Sequence, residues 1–375
     1  MAIRVGIIGL SSSAKTSWAS GAHLPYLLSP RGQSKYRIVA LCNSSVEAAK
    51  RAVETYNLPP ETRTYGDPKS LAEDPDVDLV VNCTRVDVHY STILPSVKAG
   101  KNVFVEWPLA HNAQHASDLV QEAKKSGSAT MVGLQGRLAP VYVKIKQILE
   151  QGRVGKILSA EIRASGGTND REKLPPGLAY FGDRSIGGNV YTIGFGHLFD
   201  QLQHLMGDFV NLKPQLQIQR PTMKIIDPST KEIIHSATSD VPDLIFATAT
   251  LAESPITRGG ASVLLRFRRG QPFPGDPHLD IAINGEGGEI RLRAMGGTAL
   301  HATAYNGPVV TEVHDYKTDK VETVEWEWAD WQDSLPLSAR SIGMLYESFA
   351  DANSKPPTFE DALIRHEQLE EMLVE

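Results

Sequence analysis

The segment Gly9–Lys15 carries the residue types of a phosphate-binding turn. It follows the apolar run Ile3–Ile8, as a dinucleotide-binding turn with the spacing G-x-G-x-x-G follows its first strand. Gly9 keeps the first glycine, whereas Ser11 and Ala14 occupy the second and third glycine positions. Backbone N–H groups and a helix N-terminus favour an anion at such a turn. We predict that a nucleotide is bound by Gly9, Ser11, Ser12, Ala14 and Lys15; a strand–turn–helix without a ligand is the alternative.

A second candidate site follows the apolar run Tyr36–Cys42. NAD-binding units usually have an acidic residue at the end of this strand, where it binds the ribose 2′-hydroxyl. Here the strand is followed by Asn43, Ser44 and Ser45, and then by Arg51 in the next helical segment. These side chains can donate hydrogen bonds or positive charge to a 2′-phosphate, so we predict NADP(H) in preference to NAD(H). Ser45 also suits the N-cap of the following helix, and the two roles are compatible.

The first part of the chain alternates strand-like and helix-like segments, which predicts a doubly wound parallel sheet with right-handed crossovers. The strand-like segments are short and mostly apolar, as in strands buried on both faces: Ile3–Ile8, Tyr36–Cys42, Leu79–Cys83, Val103–Glu106 and Thr130–Val132. The helix-like segments are Ser45–Tyr56, Pro68–Glu73, His89–Ala99 and Ala113–Ser126. Residues 1–135 are therefore predicted to form an NADP-binding α/β Rossmann domain.

Beyond Pro140 the pattern changes to that of an α+β domain. A helical segment at Val141–Gln151 precedes strand-like segments, several of which alternate polar and apolar residues, as antiparallel strands with one solvent-facing side do. These segments are Ile157–Ala164, Asp243–Ala252, Ala261–Phe267, Leu279–Asn284 and Gly287–Leu292. Residues 136–375 are predicted to form a substrate-binding and oligomerisation domain with a large open, mostly antiparallel sheet.

Four segments of this second part receive separate interpretations. The polar segment Pro221–Pro242 is predicted to be an irregular loop. Trp326–Trp331 alternates aromatic and polar residues and is interpreted as an edge strand or sheet cover, with an oligomer contact or a sugar-binding wall as the alternative. Ala339–Asn353 and Phe359–Val374 are amphipathic and predicted to be helical, and the C-terminal helix is able to pack back on the first domain.

Composition excludes several classes of protein. The 375 residues are 41% hydrophobic and 22% charged, which is typical of a globular protein. The formal charge of −6 argues against direct nucleic-acid binding. No apolar run approaches the ~20 residues of a membrane span, and no signal peptide is expected. We therefore expect a cytoplasmic protein with reduced Cys42 and Cys83. No metal site is predicted, because His111 and His115 lack a nearby acid.

Several short strings recur at characteristic intervals: Val5–Gly9, Thr84 with His89, Ala99–Lys101, Val105–Ala110, and Gly187-Gly188 followed by His197 and Asp200. In these strings the chain resembles the glucose-fructose oxidoreductase / inositol dehydrogenase / MocA family over most of its length. Further strings resemble its fungal galactose-regulon repressor-like branch: Leu134–Arg137, Phe195–His197, Val241–Asp243 and Phe359–Leu363. The resemblance implies a Rossmann domain, a second domain with a large open sheet, a bound nicotinamide cofactor, and a homodimer or larger homo-oligomer formed through that sheet.

The resemblance also implies which positions are catalytic. Typical members have Glu-Lys-Pro where this chain has Glu106, Trp107 and a proline, and an indole cannot replace the lysine as acid or base. Trp107 can wall the pocket, stack on a nicotinamide ring, or be a core aromatic. The family's aspartate, four residues before its histidine, is replaced by Ile193. His197 remains as proton donor or acceptor, or is a buried structural histidine. Tyr191 and Glu106 are the other catalytic candidates.

Further family positions of the cofactor site contain Thr84, Val86, His89, Glu106, Trp107, Gln135 and Arg137. Glu106 could bond the ribose or the carboxamide. Arg137 could bind pyrophosphate or a substrate carboxylate with two hydrogen bonds, or form a structural ion pair. Asp200, about one helical turn after His197, is expected to be a structural partner.

Two functions are compatible with these residues. The first is an NADP(H)-dependent oxidoreductase that transfers hydride to or from a sugar-like or other polar carbonyl or alcohol. The second is a non-catalytic, NADP-binding transcriptional regulator of the galactose-repressor type, which acts through protein partners and could work in the nucleus. The loss of the family lysine and aspartate favours the regulator, whereas the retained cofactor domain and His197 favour the enzyme.

Overall fold

A computed structural model describes residues 2–11, 18–167 and 170–374. The predicted cofactor residues Ser12, Ala14 and Lys15 lie outside the described residues. The chain divides into two compact units. The first comprises Met1–Gln135, Ser185–Gly188 and Ala329–Glu370, and the second comprises Gly136–Arg184, Asn189–Trp328 and Glu371–Glu375. The predicted second domain, residues 136–375, is therefore not one unit, since residues 185–188 and 329–370 cluster with the first.

The first unit is built on a sheet that, in the described part of the chain, has six strands in the order β3-β2-β1-β4-β5-β6, all parallel. The strands are β1 (Ile3–Ile8), β2 (Tyr36–Cys42), β3 (Arg63–Tyr65), β4 (Leu79–Asn82), β5 (Asn102–Val105) and β6 (Thr130–Val132). Every residue of β4 is buried, as in a sheet covered on both faces. This confirms the predicted Rossmann sheet. The sequence reading missed β3, which has three half-buried residues and no apolar run.

The first six α-helices of this unit in the described residues are α1 (Leu24–Leu27), α2 (Pro30–Gln33), α3 (Val46–Thr55), α4 (Pro68–Ala72), α5 (His89–Lys98) and α6 (Ala113–Ser126). Side chains cap the N-termini of four of them, and α1 and α5 begin without such a cap. Ser45, Asp67 and Asn112 accept hydrogen bonds from first-turn N–H groups of α3, α4 and α6. Helix α6 ends at Gly127, whose φ of +75° favours glycine.

The second unit begins with α7 (Pro140–Glu150), β7 (Ile157–Gly166) and β8 (Lys173–Leu174). A π-helical turn at Val190–Phe195 then leads directly into α8 (Gly196–Met206). The remaining strands are β9 (Phe209–Gln217), β10 (Thr222–Ile226), β11 (Ile233–Thr238), β12 (Leu244–Leu251), β13 (Thr257–Arg269), β14 (Leu279–Gly285), β15 (Gly288–Ala294), β16 (Val309–Asp315) and β17 (Lys320–Thr323).

In the described residues, eight of these strands form one sheet in the order β17-β16-β15-β14-β7-β13-β12-β9. All its pairs are antiparallel except β7 with β13, which confirms the predicted open, mostly antiparallel sheet. Along β13 buried Leu265 and Phe267 alternate with side chains on the other face, such as Leu264. Phe195 packs against Phe267, with ring centroids 5.7 Å apart, so the segment leading into α8 covers the apolar face.

Two predictions for this unit were wrong. Pro221–Pro242 is not an irregular loop, because β10 and β11 within it pair and join β8 in a three-stranded sheet. Its core is small, with Leu174, Met223 and Ile225 as the buried residues, and this weakens the sequence signal. The edge strand predicted for Trp326–Trp331 is not found: after β17 the chain is irregular, and α9 (Asp330–Asp333) then begins. The interpretation of this segment as a sheet cover stays a prediction.

The C-terminal segment contributes α10 (Leu337–Ala350) and α11 (Phe359–Val374). Residues of α10 and of α11 up to Glu370 cluster with the first unit. Tyr346 of α10 is fully buried there, and its ring lies 5.4 Å from that of Phe104 on β5. The last helices therefore complete the core of the first unit.

Candidate functional site

Gly9 lies where three parallel strands of the first unit end. Its N–H donates to the Cys42 carbonyl at 3.0 Å, and its φ of +94° is a conformation that side chains other than glycine rarely adopt. A Cβ here would approach Cys83 C and Thr84 Cγ2 to 3.0 Å. Glycine is therefore required by both conformation and space, and the backbone stays accessible at this strand end.

Asn43 holds the first turn in place. Its amide nitrogen donates to the Leu10 carbonyl at 2.8 Å and, more weakly, to the Ala48 carbonyl at 3.4 Å. The Tyr56 hydroxyl donates to the Ser11 carbonyl at 3.1 Å. Asn43 thus uses its donor on the backbone, which differs from the expected role of donating to a 2′-phosphate.

The start of α3 contains a carboxylate that the sequence interpretation did not weigh. Ser45 caps the helix by accepting from the Ala48 N–H at 3.1 Å. Glu47 accepts hydrogen bonds from its own N–H and the Ser45 hydroxyl, and together with nearby Arg51 these lower the pKa of its carboxyl. Ser44 and Arg51 are exposed. The candidate 2′-phosphate site therefore combines exposed donors with one ionised carboxylate.

The His89 side chain lies within hydrogen-bond distance of two segments, one following β4 and the other following β5. Its Nε2 lies 2.9 Å from the Thr84 carbonyl and its Nδ1 lies 2.8 Å from the Pro108 carbonyl. Burial lowers the pKa of this imidazole, although both carbonyls favour protonation. Val86 is buried just before α5. Residues at this edge of the sheet that have internal contacts or are buried therefore include Thr84, Val86 and His89.

Glu106 is buried in the first unit and is bonded through one of its two carboxylate oxygens. Its Oε1 lies 2.7 Å from His23 Nε2, and His23 Nδ1 lies 2.9 Å from the Tyr346 hydroxyl. The other oxygen, Oε2, lies beside Gly133, where an added Cβ would come to 2.6 Å from it. The bond to His23 gives Glu106 a structural contact within the first unit. His23 and Tyr346 were missed because His23 lies 83 positions before Glu106 and Tyr346 lies 323 positions after His23.

Trp107 and Gln135 complete the residues expected at this edge. Trp107 is 4% exposed, and its ring lies 4.9 Å from that of His366, whose pKa burial lowers to about 3. Gln135 is 1% exposed, and neither amide atom has a hydrogen-bond partner in the described structure. Orphaned buried polar atoms point to a missing partner, so Gln135 fits a site that closes on a polar ligand.

In the second unit, Arg137 forms an ion pair with Asp200. Nε and Nη2 of Arg137 lie 2.9 and 2.6 Å from the two Asp200 oxygens, with side-chain exposures of 10% and 1%. This is the bidentate geometry that a guanidinium offers to a carboxylate. The structural ion pair is therefore the arrangement found, and it uses the donors that a pyrophosphate would need.

His197 lies on α8 beside a histidine that the sequence interpretation missed. The His197 and His301 ring centroids are 4.6 Å apart, and His301 Nδ1 lies 3.3 Å from Gln201 Nε2. Burial, and then the neighbouring His301, hold the pKa of His197 well below its usual value, and burial lowers the pKa of His301 to about 4. Both imidazoles are therefore neutral at physiological pH. His301 could not be found from spacing, since it lies in a connection 104 positions beyond His197.

The other candidates on this stretch are built into the core. Tyr191 is 1% exposed, with its ring 5.6 Å from that of Phe195, and burial raises its pKa. Ile193, at the family's aspartate position, lies in the same π-helical turn. The turn is capped by Asn189, which accepts from the N–H groups of Tyr191 and Thr192. His197, on the helix that follows, is also buried, with 9% exposure.

Within the described ranges, no group of three or more His, Cys, Asp or Glu side chains could hold a metal ion. The same part of the chain contains no helix long and apolar enough to cross a membrane.

These features define a class of protein, in which an NAD-binding Rossmann unit is combined with an α+β unit carrying a large open sheet. Residues 3–134 match the oxidoreductase family with an NAD-binding Rossmann fold, GFO_IDH_MocA, and residues 140–294 match the Gal80p C-terminal domain family. The chain therefore belongs to the glucose-fructose oxidoreductase / inositol dehydrogenase / MocA family, and its second unit is of the Gal80p type. This confirms the family resemblance noted in the sequence.

Individual relatives include dehydrogenases and regulators. Dehydrogenase aclE of Aspergillus oryzae is 30% identical over 99% of this chain and 95% of that protein. The galactose/lactose metabolism regulatory protein GAL80 of Saccharomyces cerevisiae is 28% identical over 79% of this chain and 68% of that protein. The crystal structure of a super-repressor mutant of Gal80p from Saccharomyces cerevisiae has a TM-score of 0.86 over 99% of this chain and 95% of that one, at 24% identity, so the fold is shared.

The neutral buried histidines predict acid sensitivity of the fold. A histidine whose pKa is lower in the folded chain stabilises the fold fully above about pH 6.5, and this contribution is lost as the pH falls toward the folded pKa. For His301 that window runs from about 6.5 down to about 4. We expect His301→Gln to reduce the slope of unfolding free energy against pH in this window by about 1.4 kcal/mol per pH unit.

Urea denaturation at a series of pH values measures this slope. The matched control is His235→Gln, because His235 is exposed on β11, and its slope should equal that of the unchanged protein. Equal slopes for His301→Gln and the unchanged protein would contradict the assignment of a neutral buried His301.

Proposed function

We propose that this protein is an NADP(H)-dependent oxidoreductase that transfers hydride between the cofactor and a small sugar-like or other polar carbonyl or alcohol. The observation that carries this proposal is His197, a buried imidazole that its surroundings hold neutral in the second unit. Of the three catalytic candidates, Glu106 is bonded to His23 and Tyr191 is enclosed among aromatic rings. We place the protein in the cytoplasm.

The first unit fits a nicotinamide nucleotide at the edge where its strands end. Gly9 allows a phosphate to approach the backbone, and the orphaned amide of Gln135 can satisfy a polar group such as a carboxamide. Trp107 walls this region in place of the family lysine. When bound, the cofactor supplies the hydride donor or acceptor.

His197 handles the proton in this proposal. A neutral imidazole can accept the hydroxyl proton of an alcohol while hydride leaves the carbon, and in the reverse direction an imidazolium returns it to the carbonyl oxygen. His301 is also neutral, so it supplies no negative charge that would keep His197 protonated. The second unit would thus supply acid–base chemistry without the family lysine and aspartate.

Turnover of His197→Asn tests this role. General acid–base groups contribute about 10²–10⁴-fold, so we expect turnover to fall at least about 100-fold while cofactor affinity stays unchanged. The measurement is reduced-nicotinamide absorbance with a panel of polyols, sugars and their carbonyl forms, using exposed His235→Asn as the control. Undiminished turnover by His197→Asn would remove the histidine from the mechanism.

The match to the Gal80p C-terminal domain and the indole at residue 107 favour a second function, that of a non-catalytic, NADP-binding transcriptional regulator. Such a chain would act through protein partners and could work in the nucleus. The same panel separates the two functions: tight cofactor binding without turnover, together with cofactor-dependent capture of a transcription activator, would support the regulator. Turnover of any substrate would support the enzyme.

The preference for NADP(H) rests on the start of α3. Exposed Ser44 and Arg51 offer a donor and a positive charge to a 2′-phosphate, whereas Glu47 partly compensates Arg51. We expect Arg51→Ala to weaken NADP(H) binding by about tenfold and to leave NAD(H) binding unchanged, since a charged hydrogen bond contributes about 1.5–3 kcal/mol. Calorimetric titration with both cofactors checks this, with neighbouring exposed Lys50→Ala as the control. Tighter binding of NAD(H) by the unchanged protein would overturn the preference.

We also propose a homodimer formed through the outer face of the eight-stranded sheet. Leu264 and Phe246 project from this face with exposures of 50% and 38%, and their strands are paired. Burying such side chains favours association. Light scattering should therefore show a dimer for the unchanged protein and for Ile234→Glu, a control on β11, but a monomer for Leu264→Glu. A dimer that survives Leu264→Glu would exclude this face.

A further inference from the structure

A pocket of about 240 Å³ lies between α7 and α8 in the second unit and is called here the α7–α8 pocket. This volume equals that of roughly eight water molecules at about 30 Å³ each, so it suits a small organic molecule. Leu138, Tyr142 and Leu205 give it an apolar lining, and Lys146, His204 and Gln201 provide polar groups. The pocket is therefore amphipathic, with its polar groups on both helices.

Lys146 is a positive charge without a negative partner in this pocket. Its Nζ lies 3.1 Å from His204 Nε2, and because an ammonium has only donors, the histidine nitrogen must accept. Among the described residues no carboxylate forms an ion pair with Lys146, although Glu150 of the same helix also lines the pocket. Asp200, the buried carboxylate of α8, is bonded by Nε and Nη2 of Arg137. An anion entering the pocket would therefore meet an ammonium that no carboxylate already pairs.

Tyr142 adds a second donor. Its side chain is 3% exposed, and its hydroxyl has no hydrogen-bond partner in the described part of the chain. Burial raises the pKa of this phenol, so it remains protonated and can donate. A buried hydroxyl without a partner indicates a group that is absent from the protein alone.

We propose that the α7–α8 pocket binds a small organic carboxylate with an apolar body, whose charge pairs with Lys146 and whose body packs on Leu138, Tyr142 and Leu205. A neutral sugar would leave Lys146 without a counter-charge. Inorganic phosphate would satisfy the ammonium but would gain nothing from the apolar lining. A carboxylate with an apolar body uses both parts of the pocket, and the pocket shares only Arg137 with the residues assigned to cofactor and proton transfer.

Benzoate and benzamide are suitable probes, because they share a ring and differ in charge. We expect benzoate to shift the methyl NMR signals of Leu138, Val143 and Leu205 in a saturable manner in the full-length protein. Benzamide should bind about tenfold more weakly, since it loses the charge-assisted hydrogen bond to Lys146. This comparison uses the unchanged protein and so does not depend on a variant folding.

Lys146→Met should weaken benzoate binding about tenfold and leave benzamide binding unchanged. The matched control is Lys144→Met, which removes the same charge from an exposed position of α7 that does not line the pocket. Three results would overturn the proposal: no saturable shift with benzoate, equal affinities for the two probes, or benzoate binding that survives Lys146→Met. Tighter binding of inorganic phosphate than of benzoate would also overturn it, in favour of a simple anion site.

Discussion

A carboxylate enclosed by protein must be paired, and the pairing of Glu106 governs much of the first unit. An unpaired buried charge costs several kcal/mol, so the strand end that carries Glu106 depends on His23 and on Tyr346 behind it. Tyr346 belongs to α10, which explains why the C-terminal helices cluster with the N-terminal sheet. The glutamate of the family motif is thereby structural, and Trp107 beside it carries no usable proton. Under the proposed oxidoreductase function, proton transfer is therefore assigned to His197 of the second unit and not to the first unit.

The charges of the second unit bear on the proposed role of His197. The resemblance implies an acid at the position of Ile193, which would favour a protonated histidine. The carboxylate of α8, Asp200, is bonded to Arg137. The neighbour of His197 is instead His301, a second buried imidazole. Burial disfavours the charged form of both imidazoles. Helix α8 therefore carries a neutral histidine, whereas the resemblance implies charged side chains at this site.

Sequence reasoning identified the features that short segments encode. Runs such as Leu79–Cys83 are apolar throughout because parallel strands are buried on both faces, and Gly9 is recognisable because few residues adopt its conformation. It failed where the structure depends on distant partners. His23, His301 and Tyr346 acquire their roles only from residues brought close by folding, and the hairpin β10–β11 is held by a core too small to leave a periodic signal.

The buried histidine pair also bears on the choice between an enzyme and a regulator. At neutral pH the imidazoles of His197 and His301 are uncharged. Burying them makes the stability of the fold fall at acidic pH, which buried leucine or phenylalanine side chains would not do. A chain that only binds a nucleotide and a partner protein has no need for a titratable group in this position. Proton transfer does need one, and a base that is neutral before the reaction can accept a proton during it. Under the proposed oxidoreductase function, the two imidazoles inside the second unit therefore have a use that the alternative function of a regulator does not give them.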